Sequence, residues 1–147
     1  MIRVGQTVTD KNNGTCMQAV LASLFEKPLS ETINIMEYPE NEWYLPFLEW
    51  VDNNTNYQYE GVINAHDDKS QTLKALNSMY AIDGFYYGVV PSKNFDGVTH
   101  AVIIDRNGIV QHDPNPDEKW QDVNVVESGD LIYWHDFTPK NGFVYDF

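Results

Sequence analysis

Apolar residues recur with helical spacing in the stretch that follows Thr15. Met17, Val20, Leu21 and Leu24 fall on one face, with Thr15 or Asn13 placed to cap the start and Pro28 beyond the end. This pattern predicts a helix over 16–25. A short second helix is expected over 30–36, with Ser30 as its cap. Trp43, Phe47, Leu48, Trp50 and Val51 predict a third over 41–51, where Pro46 must sit in the first turn or kink the helix. Its stripe of Trp43, Tyr44, Phe47 and Trp50 reads as core rather than as a ligand platform. Leu73, Leu76 and Met79 predict a fourth helix over 71–80.

The second half changes character. Residues 84–90 and 98–105 are rich in strand formers. Asn107-Gly108 is the pair that a two-residue type I′ hairpin turn prefers, so 109–113 is expected to return beside 98–105. Arg106 then faces Ile109, and His100 faces Asn115. Asp113 lies two residues along on the same side of the pleat, and His112 points to the other. Further strands are expected over 123–126 and 131–134, with an edge over 142–147. Helices followed by an antiparallel sheet predict an α+β fold with segregated layers, the N-terminal helices packed on a C-terminal sheet. No repeat or Gly/Ser linker interrupts the 147 residues, so 1–147 reads as a single domain.

Charge narrows the partners. Nine Lys and Arg against 22 Asp and Glu give a net charge of −13, which repels phosphate backbones, so no nucleic-acid partner is expected. The acids are scattered, and no acidic run is longer than the two residues of Asp67-Asp68. That favours solubility, and a monomeric or loosely associated chain, over mimicry of a DNA phosphate row. Carboxylates rimming a cleft would further favour cationic substrates. No apolar run of about 18 residues is present, so no membrane partner is expected. The first residues carry no apolar signal region, and a cytoplasmic protein is expected.

The lone cysteine, Cys16, excludes an intramolecular disulfide and a site of several thiolates, and it suits a reducing compartment. It stands at the first turn of the first helix, where free N–H groups and the helix dipole stabilise a thiolate. A thiolate nucleophile needs a nearby base, and the base needs an orienting acceptor. The hairpin offers His100 as base, with Asp113 or Asn115 behind it. His66, beside Asp67 and Asp68, reads as solvated. His135-Asp136 is a metal-ligand pair without a third ligand at a recognisable spacing, so no metal is expected. Neither a phosphate loop nor a dinucleotide fingerprint occurs, and no cofactor is expected.

These residues resemble the papain-like cysteine peptidase superfamily. The shared features are a Cys opening the first long helix, His-Ala-Val-Ile at a strand start, and His112-Asp113-Pro114 after a hairpin. The compact bacteriocin-processing type is the nearest shape. The stretches 13–24 and 97–116 also resemble small uncharacterised bacteriophage proteins. The resemblance implies a papain-like α+β fold with Cys16 as nucleophile, His100 as base and Asp113 as orienter. It implies a thiol hydrolase acting on a peptide, isopeptide or other amide substrate, a host protein among the candidates. A non-catalytic binding protein on the same scaffold is the alternative. The superfamily places an oxyanion-donating Gln about six residues before the Cys, where this chain has Asp10. Gln6 reaches the site only if the 10–14 loop bulges. Asn12 or Asn13 is the substitute, and the Cys16 backbone N–H is a donor in any case.

Overall fold

A computed structural model of the chain describes residues 1–7 and 15–140. The fold is α+β. Three helices, α1 (Cys16–Leu24), α2 (Tyr44–Asn54) and α3 (Lys69–Ser78), accompany five strands: β1 (Tyr57–Asn64), β2 (Tyr86–Pro91), β3 (Thr99–Ile104), β4 (Val110–His112) and β5 (Tyr133–Pro139). The strands form one antiparallel sheet in the order β1-β5-β2-β3-β4. No helix among the described residues is long and apolar enough to cross a membrane.

The layers are not segregated as the order of elements predicts. Alternating residues of the central strands feed two cores, one on each face of the sheet. Tyr87, Val89, Ala101 and Ile103 pack with Val20, Leu21 and Leu24 of α1 and with Phe47 and Val51 of α2. Tyr86, Val90, Val102 and Ile104 pack on the other face with Leu76 of α3, Trp120, Val125 and Trp134. The sheet is not wholly C-terminal either, because β1 precedes α3.

β1, which the sequence pattern does not mark, contains a bulge. Tyr59 pairs with Phe137 and Gly61 with Asp136, leaving Glu60 as an extra residue. An extra residue switches the side on which alternate side chains emerge. Tyr57 and Tyr59 therefore join the α1 face, whereas Ile63 joins the opposite core.

The helix expected over 30–36 is two single 3-10 turns, Leu29–Glu31 and Ile35–Glu37. Gln18 of α1 explains the interruption. Its Nε2 donates to the carbonyls of Leu29 and Thr32, both at 3.1 Å, so the backbone is satisfied without a continuous helix. Pro46 sits in the first turn of α2, where its missing N–H has no intrahelical acceptor to lose. Residues 123–126 form turns with one bridge, Ile109 to Asn124, instead of a strand. Asn124 Oδ1 takes the N–H groups of Val126 and Glu127 and closes the chain on itself. The strand expected over 131–134 starts at Tyr133 and runs on to Pro139. The edge expected over 142–147 lies outside the described residues.

The β3–β4 hairpin differs from the type I′ form but keeps the expected faces. Type I′ needs positive φ at both central residues, and of Asn107 and Gly108 only Gly108 has it, at 81°. The turn spans Arg106-Asn107-Gly108, with Gly108 N–H donating to the Asp105 carbonyl at 3.1 Å and Asp105 N–H to that of Ile109 at 3.0 Å. This shifts the pairing by one residue from the expected register. A bulge at Gln111 shifts it back, so that Ile104 pairs with Val110 and Ile103 with His112. His100 and Asp113 thus emerge on one side, and His112 on the other.

Gly108 is irreplaceable on two counts. Its φ is left-handed, and a Cβ there would lie 2.4 Å from Val126 Cγ2. Strain and overpacking together predict that Gly108→Ala costs roughly 2–4 kcal/mol. Urea unfolding of the two proteins measures it, and a loss below about 1 kcal/mol contradicts the account.

Candidate active site

α1 packs on β2 and β3, which carries its first turn to the start of β3. Cys16, partly buried, opens that turn. Thr15 occupies the cap position but makes no side-chain cap bond, and its Oγ1 instead accepts from Thr7 N–H at 3.2 Å. The first N–H groups of α1 have no intrahelical partner and surround the thiol with positive potential.

His100 pairs with Val90 across β2 and β3 and is 4% exposed. Its Nε2 donates to Asp113 Oδ1 at 2.7 Å. The imidazole is also within hydrogen-bonding reach of the Cys16 thiol, and Nδ1 is the ring nitrogen left for it. Burial alone would depress the imidazole, but the bonds to Asp113 and Cys16 and the attraction of both raise it to about 9. Two further donors converge on the Asp113 carboxylate. Asn115 N–H reaches Oδ1 at 3.0 Å, and Trp120 N–H reaches Oδ2 at 2.9 Å. The orienter expected as Asp113 or Asn115 is therefore Asp113. Asn115, also buried, lines the cleft while its Oδ1 caps the next turn through Asp117 N–H at 3.2 Å.

Gln6 reaches the same cleft although it lies ten residues ahead of Cys16. Residues 1–7 form a strap between α1 and the hairpin. Ile2 N–H donates to the Ser23 carbonyl at 3.1 Å, and Val4 N–H to Ser23 Oγ at 2.8 Å. From the other side His112 Nε2 bonds the Val4 carbonyl at 2.7 Å, and Gln6 N–H donates to the Pro114 carbonyl at 3.0 Å. The strap, not the spacing, sets Gln6 beside Cys16. Asn12 and Asn13 lie outside the described residues.

The remaining histidines separate. His66 Nδ1 accepts from Asp68 N–H at 2.9 Å ahead of α3. His135 and Asp136 are neighbours on β5 and point to opposite faces, so they cannot hold one ion together. Among the described residues no three His, Cys, Asp or Glu side chains cluster as metal ligands. His135 instead lines the cleft that holds Cys16 and His100. Its position opposite Tyr87 in the β2–β5 pairing could not be read from the sequence without that register. Trp43 lines this cleft too, so the aromatic stripe of α2 serves both core and cleft: Phe47 is buried and Tyr44 is exposed.

The cleft encloses about 310 Å³. Among the described residues its one lining carboxylate is Glu118, and no Lys or Arg lines it. Glu118 is buried and engaged, accepting from Ser92 Oγ at 2.5 Å and Lys93 N–H at 2.6 Å. Among the described residues no free carboxylate rims the cleft, so they offer no support for a preference for cationic substrates.

Scans against family models, curated proteins and solved structures found no match to this chain.

The electrostatics predict a titration. The His100 ring signals in NMR should change near pH 9, and Asp113→Asn or Cys16→Ala should lower that midpoint. The unfolded imidazole titrates near 6.5, below the folded value. The His100 interactions therefore contribute fully below about pH 6.5, and their contribution is lost as the pH rises through about 9. Denaturant unfolding across that window should show the fall, flattened in Asp113→Asn.

Proposed function

We propose that the protein is a thiol hydrolase with a papain-like arrangement, cleaving a peptide, isopeptide or other amide bond. The observation that carries this reading is one continuous chain of contacts: the Cys16 thiol, the His100 imidazole and the buried Asp113 carboxylate. A histidine satisfied for structure alone does not need a thiol on its second nitrogen at the mouth of a cleft.

Cys16 Sγ reacts as the thiolate, its proton already held on His100 Nδ1, and attacks the substrate carbonyl carbon, forming the S–C bond. Negative charge moves to the carbonyl oxygen, which the Cys16 N–H and the Gln6 side-chain amide receive. The C–N bond then breaks as His100 returns the proton to the leaving amine. Water attacks the thioester with His100 as base, the carboxylic acid departs, and the thiol is restored. Asp113 holds the ring in place and stabilises it while it carries the proton.

The test pairs a fluorogenic amide library with iodoacetamide labelling of Cys16. Cys16→Ala abolishes turnover. Gln6→Ala lowers kcat roughly 10²–10³-fold, the scale of a lost oxyanion donor, with labelling retained. His100→Ala slows labelling at neutral pH. Labelling no faster than that of a free cysteine, and indifferent to His100→Ala, overturns the reading. Fast labelling without turnover of any amide favours a binding protein on the same scaffold.

A further inference from the structure

A second imidazole faces the cleft that holds Cys16, and the hydrolase chemistry does not use it. His135 Nδ1 is 2.7 Å from the Tyr59 hydroxyl. Three tyrosine rings pack around it, with centroids at 4.2 Å for Tyr87 and 5.5 Å for Tyr59 and Tyr133. The ring is therefore held in one orientation. Burial pushes the Tyr59 phenol well above its ordinary value, so its proton is always present. Among the described residues Nδ1 is the acceptor that this proton finds. Nδ1 then carries no hydrogen, and the tautomer is Nε2–H. Burial also pushes His135 down to about 4, so the ring is neutral at physiological pH. Among the described residues Nε2 makes no hydrogen bond.

We propose that His135 determines substrate specificity: its Nε2–H donates to an acceptor on an uncharged, ring-bearing group lying against Tyr87, Tyr133 and Trp43. The inference rests on Cys16 as the reacting thiol. Aromatic walls favour a ring through edge and stacking contacts. Charge is disfavoured in both signs. Among the described residues no lysine or arginine lines the cleft to meet an anion, and the one carboxylate, Glu118, is already engaged. A donor N–H repels a cation and rewards a carbonyl or ether oxygen.

Four chloroacetamides test this, each forming an S–C bond with Cys16 as chloride leaves. They carry acetylphenyl, phenyl, carboxylate or trimethylammonium groups. The readout is the saturable labelling constant, normalised to the iodoacetamide rate of the same variant. The acetylphenyl probe should bind tightest, about 3- to 10-fold ahead of phenyl, the scale of one hydrogen bond. His135→Phe should erase that advantage and leave the preference for phenyl over the charged probes. Tyr59→Phe, which removes the hydroxyl that fixes the tautomer, should shrink it and serves if His135→Phe does not fold. Equal binding of all four probes, tightest binding of either charged probe, or an acetylphenyl advantage that survives both substitutions overturns the proposal. Absence of amide turnover with the probe ranking intact counts against the hydrolase reading alone.

Discussion

A carboxylate buried in an apolar interior must be met by donors, and the Asp113 side chain sets much of this structure through that demand. It is 4% exposed, and three N–H groups from three places converge on it: the His100 ring on β3, Asn115 two residues on, and Trp120 at the far side of a short turn. Satisfying them bends 113–120 into a closed loop, with Lys119 in the left-handed region at a φ of 61°. The same bend presents the Pro114 carbonyl to Gln6 and the His112 ring to Val4. One buried acid thus holds the His100 ring and fixes the path of the strap that carries Gln6 to the cleft.

Bulges make that arrangement compatible with a two-faced sheet. Tyr86, Tyr87, Val89, Val90 and the run Ala101 to Ile104 on β2 and β3 are each committed to a core, α1 and α2 on one face or α3 and the Trp120–Leu131 loops on the other. A slip of one residue would send Tyr87 and Ile103 to the wrong side. The three-residue turn at Arg106–Gly108 introduces such a slip, and the bulge at Gln111 cancels it. Gln111 Nε2 donates back to Asp105 Oδ2 at 2.8 Å, tying the bulged residue to the turn that it compensates. On β1 the bulge at Glu60 has the opposite use. It lets a strand with tyrosines at its start and isoleucine near its end contribute to both cores.

The sequence was legible where period and chemistry agree. Met17, Val20, Leu21 and Leu24 at helical spacing ahead of Pro28 made α1 unambiguous, and the β-branched run Val102-Ile103-Ile104 did the same for β3. The His100–Asp113 pairing followed from alternation, although the expected turn type was wrong and a compensating bulge made the parity right. β1 was hard to read because Gln58, Glu60 and Gly61 dilute its strand formers, although its exposure alternates without a break. The 30–36 segment misled because its helix-like apolar positions cannot show that Gln18, from another helix, takes its carbonyls. Gln6 depended on a strap held by Ser23, Pro114 and His112, all distant in sequence. No local pattern carries such information.

The cleft also shows that burial alone does not decide what a histidine does. His100 and His135 are both depressed by desolvation, yet one is raised to about 9 and the other falls to about 4. The difference lies in the second partner. A carboxylate and a thiol face His100, and each favours the protonated ring. A phenol faces His135; it bears no charge, and its donated proton occupies the nitrogen that would otherwise take one. At neutral pH one ring therefore stores a proton while the other presents a fixed, uncharged donor. A cleft that needed two bases would gain nothing from that split. It suits the proposed function, in which one ring moves a proton at a thiol and the other reads a neutral group beside it.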